Sequence, residues 1–175
     1  VPDPIWKQQV KKEDWFLGNT YHLSIGQGDL LTTPIQILQS INTIANKGKL
    51  LAPRFVERIE NAAGEIVKSF EPEIIRENFI NKDYLAVAAE GMRMSVSEGI
   101  IYPLRNAKLP VAAKTGTAEF GTKDAKGQYE THAWVAGFAP YDEPEISFIL
   151  LLESGGASSN AAEAAKEILD WYFGR

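Results

Sequence analysis

The last third of the chain constrains the fold most. Three runs of strand composition, Val111 to Thr117, Thr131 to Phe138 and Glu145 to Ser154, follow one another with no helical pattern between them. The second connection, Ala139-Pro140-Tyr141-Asp142-Glu143-Pro144, holds two prolines. Proline cannot donate to a ladder, so this segment marks a turn. The first connection is a polar stretch from Glu119 to Glu130 containing Gly121 and Gly127. Consecutive strands with short connections pair as an antiparallel meander, because a parallel pair needs a long crossover. An amphipathic helix from Ala161 to Phe173 closes the chain, with Asn160 as its expected cap. Glu163, Lys166, Glu167 and Asp170 make its wet face, and Ala161, Ala165, Ile168 and Tyr172 point inward.

Upstream, Thr33-Pro34 with Gln36 opens a helix from about Pro34 to Lys47, and Gly48 supplies its left-handed stop. Ile37, Leu38, Ile41, Ile44 and Ala45 share one face of it. Arg54 to Glu60 and Glu65 to Phe70 alternate around Asn61-Ala62-Ala63-Gly64, which reads as a four-residue hairpin loop. A further helix runs from Lys82 to Ser97 behind an Asn81 cap, with Leu85, Ala88, Ala89, Met92 and Val96 inward and Gly99 at its end. Irregular chain follows up to Leu109. The opening, Val1 to Gly18, carries Pro2 and Pro4 and reads as an extended lead-in. Helices packed on an antiparallel sheet make the fold class α+β.

Composition narrows the chemistry. The chain has 175 residues, 45% apolar and 23% charged, which is the balance of one ordinary globular domain. Its net charge is −5 and no dense basic block occurs, so phosphate-driven nucleic-acid binding has no footprint. Cysteine is absent, which excludes disulfide scaffolds, thiolate metal sites and Cys nucleophiles. The apolar run Ile146 to Leu152 is too short to span a bilayer. The first residue is Val1 with no apolar signal core behind it, so the chain is expected to be a processed product or a piece of a longer one. His22 and His132 lie far apart, and neither has a carboxylate at ligand spacing. No metal site is expected, and His132, alternating with Trp134, reads as a packed strand histidine. Gly26-Gln27-Gly28 lacks the third glycine of a dinucleotide fingerprint and reads as a turn.

Lys114-Thr115-Gly116-Thr117 is the exception. It ends the apolar run Val111-Ala112-Ala113 and gathers a cation, two hydroxyls and a glycine. A strand edge offers main-chain N–H and C=O groups to an extended peptide. Gly116 lets a ligand approach without meeting a Cβ, and the lysine and threonines suit an anionic terminus. A frayed strand end of no function accounts for so short a motif equally well.

Lys114-Thr115-Gly116-Thr117-Ala118-Glu119, followed by His132-Ala133-Trp134-Val135-Ala136-Gly137-Phe138-Ala139-Pro140, resembles the third active-site motif and next strand of penicillin-binding protein transpeptidases. Upstream, Leu23-Ser24-Ile25-Gly26-Gln27-Gly28, Thr32-Thr33-Pro34-Ile35-Gln36 and Ala45-Asn46-Lys47-Gly48 are similar to class B enzymes of the elongation type. The stretch from Ser24 to Gly48 argues against a serine β-lactamase. Two family elements are not found in place. No serine has lysine three residues on, as Ser-x-x-Lys requires, and Ser158-Ser159-Asn160 follows the Lys-Thr-Gly strand where the family's Ser-x-Asn precedes it. That match reads as a helix cap. Residues 1–175 are thus expected to form the C-terminal part of a transpeptidase domain lacking its Ser-x-x-Lys and Ser-x-Asn motifs.

The resemblance implies a reaction for a complete domain. A serine attacks the D-Ala-D-Ala end of a peptidoglycan stem peptide, and the acyl group passes to an amine of a neighbouring strand; β-lactams acylate the same serine. Lys114 would organise the second-motif serine, and the Thr115 and Thr117 hydroxyls would bind the substrate carboxylate. The Thr117 backbone N–H would form half the oxyanion hole, and Gly116 would keep the groove open. Glu119 stands where many relatives carry Gln. No cofactor is implied. The implied partners are the stem peptide, β-lactams, the N-terminal half of the same domain and a cell-wall polymerase. The implied location is the outer face of the cytoplasmic membrane, reached through an N-terminal anchor. A non-catalytic module presenting the same strand to peptides or partners is the alternative. Without the flanking strands and nucleophile helix of the family, the inner faces of Val111, Ala113, Trp134, Phe138, Phe148 and Leu150 are expected to lie partly open.

Overall fold

The computed structural model describes residues 1–123 and 125–175. It divides into two compact units, Val1–Thr33 and Pro34–Arg175.

The first unit overturns the extended lead-in. Helix α1 spans Pro4–Lys11 and α2 spans Leu17–Ser24. Asp3 caps α1, its carboxylate accepting the Trp6 N–H at 2.7 Å, and Pro4 occupies the first helical position, where its missing N–H costs nothing. The prolines mark a helix start here, not a helix-free segment. Lys7 is buried, and its ammonium donates to the Asp14 carbonyl (2.9 Å) and Asn19 Oδ1 (3.1 Å) while pairing with Glu13 at 3.3 Å. A buried cation tolerates desolvation only with partners of this kind.

The second unit opens with α3, Pro34–Ala45. It ends two residues before the expected Lys47, through a left-handed Lys47 (φ 54°) and Gly48 (φ 99°), whose N–H returns to the Thr43 carbonyl. Two small antiparallel pairs follow: β1 (Leu50–Leu51) with β4 (Ile74–Arg76), and β2 (Arg58–Glu60) with β3 (Ile66–Ser69). The Asn61–Gly64 loop joins β2 to β3 as expected, its Asn61 Oδ1 accepting the Ala63 and Glu65 N–H groups. The β1–β4 pair has no clear sequence signal. Helix α4 occupies the expected Lys82–Ser97, capped by Asn81.

A three-stranded antiparallel sheet dominates the unit, in the order β5 (Ala112–Phe120), β6 (Glu130–Ala139), β7 (Ile146–Leu152). Its meander topology is the expected one. The β5–β6 ladder reaches Phe120 and Glu130, so both ends of the expected polar connection are in fact strand.

Helices cover both faces. On one, α5 (Ser158–Tyr172) and a 3₁₀ turn, Tyr102–Asn106, bury Val111, Ala113, Ala133, Val135 and Phe148 together with Ile101, Leu104 and Leu169. On the other, Ile41 of α3 and Met92 of α4 close over Ala112, Ala136 and Phe138. This corrects the expected open inner faces: Val111, Ala113, Phe138 and Phe148 are buried, and Trp134 and Leu150 are partly buried. Gly137 makes the middle of the sheet possible, since a Cβ there would lie 2.3 Å from the Ala112 carbonyl oxygen and 2.8 Å from the Phe148 ring.

Three details of the helices differ from the sequence pattern. Helix α5 begins at Ser158 behind Ala157, which makes no side-chain cap bond, while Asn160 lies inside the first turn and donates to the Gly155 carbonyl at 2.7 Å. Asn160 is therefore not the cap. The buried stripe of α5 is Ala161, Ala162, Ala165 and Leu169, whereas Ile168 is 50% exposed. On α4, Ala88 is exposed although Leu85, Met92 and Val96 are buried.

Candidate active site

The site is built on β5. Among the described residues β5 pairs on one side with β6 and on the other with no strand. Which main-chain groups face that outer edge follows from two contacts. Arg93 Nη1 donates to the Val111 carbonyl (3.2 Å) and Ser95 Oγ to the Ala113 carbonyl (2.5 Å), both from α4. A strand residue turns its N–H and C=O to the same side, and the side alternates along an antiparallel ladder. With Val111 and Ala113 directed outward, Thr115 and Thr117 direct theirs outward too. Helix α4 covers the start of this edge through these two bonds, to Val111 and Ala113.

The side chains alternate in the orthogonal direction. Lys114 opposes Ala136, Gly116 opposes Trp134 and Ala118 opposes His132, all on one face. Thr115 opposes Val135 and Thr117 opposes Ala133 on the other. The two threonines differ in access: Thr115 is 7% exposed, within the packed part of the sheet, and Thr117 is exposed. Lys114 is exposed and donates to the Thr115 carbonyl at 2.6 Å, so its charge sits at the outer edge of the sheet. A Cβ on Gly116 would meet Trp134 at 3.4 Å, an ordinary contact, so packing alone does not demand glycine there. Glu119 is exposed and pairs in register with Thr131.

Both Ser-x-Asn texts in the chain are structural. Ser158 and Ser159 start α5. The other, Ser40-Ile41-Asn42, is passed over in the sequence reading and lies on α3. Ser40 Oγ donates to the Ile37 carbonyl (2.7 Å), and Asn42 Oδ1 accepts from Asn46 (3.0 Å). A cleft of about 350 Å³ between α3, α4 and the β6–β7 turn is lined by Ile44, Lys47, Leu85, Phe138 and Tyr141 among others, and by none of the Lys114–Thr117 residues. The open strand edge, not that cleft, gathers the chemistry. Sequence reasoning missed Arg93 and Ser95, whose link to β5 spans eighteen positions and leaves no local signal.

An α+β domain that offers an open edge strand with Lys-Thr-Gly-Thr on it defines a class, the penicillin-binding transpeptidases. Residues 3–170 match the family model described as penicillin binding protein transpeptidase domain, and the chain belongs to that family. Within it, the chain is part of an elongation-type class B enzyme, as its MrdA and PBP2 matches show. The chain is 31% identical over 189 residues to peptidoglycan D,D-transpeptidase MrdA of Haemophilus influenzae, covering 99% of this chain and 28% of that protein. It is 34% identical over 147 residues to peptidoglycan D,D-transpeptidase PbpA of Mycolicibacterium smegmatis, covering 81% of this chain and 28% of the relative. Among solved structures it superposes on Helicobacter pylori PBP2, determined in complex with MreC, with TM-score 0.80 at 29% identity, over 99% of this chain and 30% of that one. The imipenem acyl-enzyme of penicillin-binding protein A from M. tuberculosis gives TM-score 0.74 at 26% identity, over 87% and 33%. The chain thus spans under a third of the length of these relatives.

Proposed function

We propose that this chain supplies the Lys-Thr-Gly wall of a peptidoglycan D,D-transpeptidase site that works through a serine acyl-enzyme and is acylated by β-lactams. The observation that carries the reading is the outer edge of β5, where Thr115 and Thr117 direct their main-chain groups outward beside the Lys114 ammonium. An extended D-Ala-D-Ala terminus would lie along that edge as an added strand. The Thr117 N–H would donate to the developing oxyanion, and the exposed Thr117 hydroxyl would hold the terminal carboxylate. Lys114 would keep positive potential in the groove and orient a serine of the Ser-x-Asn motif, and Gly116 would leave room for the ligand. The Thr115 hydroxyl, on the buried stretch, would be the weaker carboxylate contact of the two.

Acyl transfer by this route needs an activated serine. None of the serines here precedes a lysine by three positions, so the chain by itself would form no acyl-enzyme. The nucleophile would come from a segment carrying Ser-x-x-Lys, the N-terminal half of the same domain. The relatives' names place them in cell-wall synthesis, which supports an extracytoplasmic location, while no helix among the described residues is long and apolar enough to cross a membrane. The MreC complex of the H. pylori relative supports a protein partner, and a cell-wall polymerase is proposed beside it.

Intact-mass spectrometry after incubation with penicillin tests the reading. The 175-residue chain should gain no adduct, and the same residues joined to a Ser-x-x-Lys segment of the family should gain one equivalent. An adduct on the chain alone would remove the missing-serine assignment. No adduct on the joined, folded polypeptide would leave the peptide-binding module as the better account.

A further inference from the structure

We infer that His132 is a positioning residue for the Lys114–Thr117 strand, an inference that rests on the function proposed above. His132 stands opposite Ala118, on the sheet face that carries Lys114 and Gly116. Its ring stacks on Phe120, with centroids 3.9 Å apart and planes 4° from parallel. Its Nδ1 accepts the Ser154 N–H at 3.1 Å, in the turn after β7, where Ser154 is left-handed (φ 52°). One imidazole therefore joins the far end of β5, the middle strand and the turn leading into α5.

The strand needs such a tie. Arg93 and Ser95 anchor its outer edge at Val111 and Ala113. From Thr115 to Phe120 the ladder to β6 holds β5, and the hairpin end is where such a strand opens first. Thr117 lies between the α4 anchor and the Phe120–His132 stack. A displacement of about 1 Å at a group that must meet a reacting atom costs rates on the order of a hundredfold, so the stack would act on the reaction through the placement of Thr117.

The tie depends on protonation. Nδ1 accepts a hydrogen bond only in the neutral ring with its proton on Nε2; in the imidazolium both nitrogens donate, and Nδ1–H would face the Ser154 N–H. The segments around the ring bring two carboxylates toward it, Glu130 two residues along β6 and Glu153 just beyond the last pair of β7, while Lys114 lies four residues along β5 from the position opposite His132. The Glu130 carboxylate lies 3.5 Å from Ser154 Oγ, a further link to the same turn. Protonation releases the Ser154 bond while leaving the ring stack in place.

Amide hydrogen exchange on the ¹⁵N-labelled chain tests this, with the state of His132 followed from its own ring resonances. As His132 protonates, the protection of the Ser154 amide and of the Ala118 amide, which faces β6 opposite His132, should fall about tenfold, the worth of one hydrogen bond. His132→Asn offers an oxygen near the Nδ1 position and does not titrate, so it should keep Ser154 protected and abolish the pH step. His132→Phe keeps a ring over Phe120 without an acceptor, so Ser154 and Ala118 should stay weakly protected at every pH. An Ala118 amide that ignores the titration, or a step that survives in His132→Asn, overturns the inference. If His132→Phe fails to fold, the wild-type step and its loss in His132→Asn decide the matter. No ligand enters the experiment, so a failure of the transpeptidase reading would appear in the penicillin adduct and not here.

Discussion

The sheet β5–β7 and the segment from Leu50 to Arg76 are both antiparallel β-structure, yet they are held by different means. In the sheet, Val111, Ala113, Val135 and Phe138 are each no more than 1% exposed, between helices on two faces. In the other segment every residue of β2, β3 and β4 is exposed, Ile59, Ile66, Val67 and Ile74 included. The same β-forming composition thus yields a core in one place and a solvent-facing ribbon in the other. The deciding quantity is apolar area removed from water, at about 25 cal/mol per Å², and not strand propensity. The candidate site sits on the buried sheet, where a strand can hold its main-chain groups in fixed directions.

The sharpest way to break this comparison is to remove matched side chains from the two regions. Phe138→Ala should destabilise the chain by about 3–5 kcal/mol, because it opens a cavity under α3 and α4. Ile59→Ala, at 47% exposure, should shift stability by no more than about 0.5 kcal/mol. Denaturant unfolding of the two variants measures both. Equal losses would mean that the ribbon is as well packed as the sheet.

A smaller effect sharpens the link between sheet and chemistry. In a polypeptide that also carries the Ser-x-x-Lys segment, Thr117→Val should cost roughly 1.5–3 kcal/mol of a hydrogen bond to a charged group. Acylation by a fluorescent penicillin would then slow by about one to two orders of magnitude. Thr115→Val, at a buried hydroxyl, should slow it less, and Ile59→Ala should leave it unchanged. Stopped-flow acylation rates decide, and a larger effect at Thr115 would reverse the proposed division of roles.

The smallest effect concerns how the sheet's helical cover is fastened. Asp170 of α5 accepts from Lys166 Nζ (2.6 Å) and from the Lys108 backbone N–H (2.9 Å), and these bonds, Lys166 first, hold its carboxyl below the usual aspartate value. A lowered folded-state pKa stabilises the fold above the unfolded value, and that contribution is lost as pH falls through the folded one. Asp170→Asn should therefore weaken the chain near neutrality by at most about 1 kcal/mol, since the pair is partly solvated. Thermal melts of variant and parent should converge in acid. A difference that persists below the folded carboxyl's titration would assign the effect to packing.

Much of this was legible in the residues. Asn81 and Thr33-Pro34 announced α4 and α3, Asn61–Gly64 announced its hairpin, and the two prolines after Ala139 separated β6 from β7. Each signal acts within a few residues, through a cap or a turn, and needs no distant partner. The opening helix is also legible, in Asp3-Pro4, because proline at the first helical position is tolerated and marks a start as readily as the extended lead-in that Pro2 and Pro4 suggest.

By itself, then, the sequence determined the element order, the meander and the motif on its strand, because capping, alternation and turn chemistry are local. The pleat further dictates that Thr115 and Thr117 share a face opposite Lys114. Only the tertiary structure decided that Thr115 is covered and Thr117 is not. The same holds for the outer edge of β5, fastened by Arg93 and Ser95 as far as Ala113, and for His132, joined to both Phe120 and Ser154. These outcomes depend on which surfaces α4, α5 and the turn after β7 bring against the sheet. Such contacts join residues separated by up to several tens of positions, and hydrophobic burial, which is non-directional, leaves no local mark of its partner in the chain.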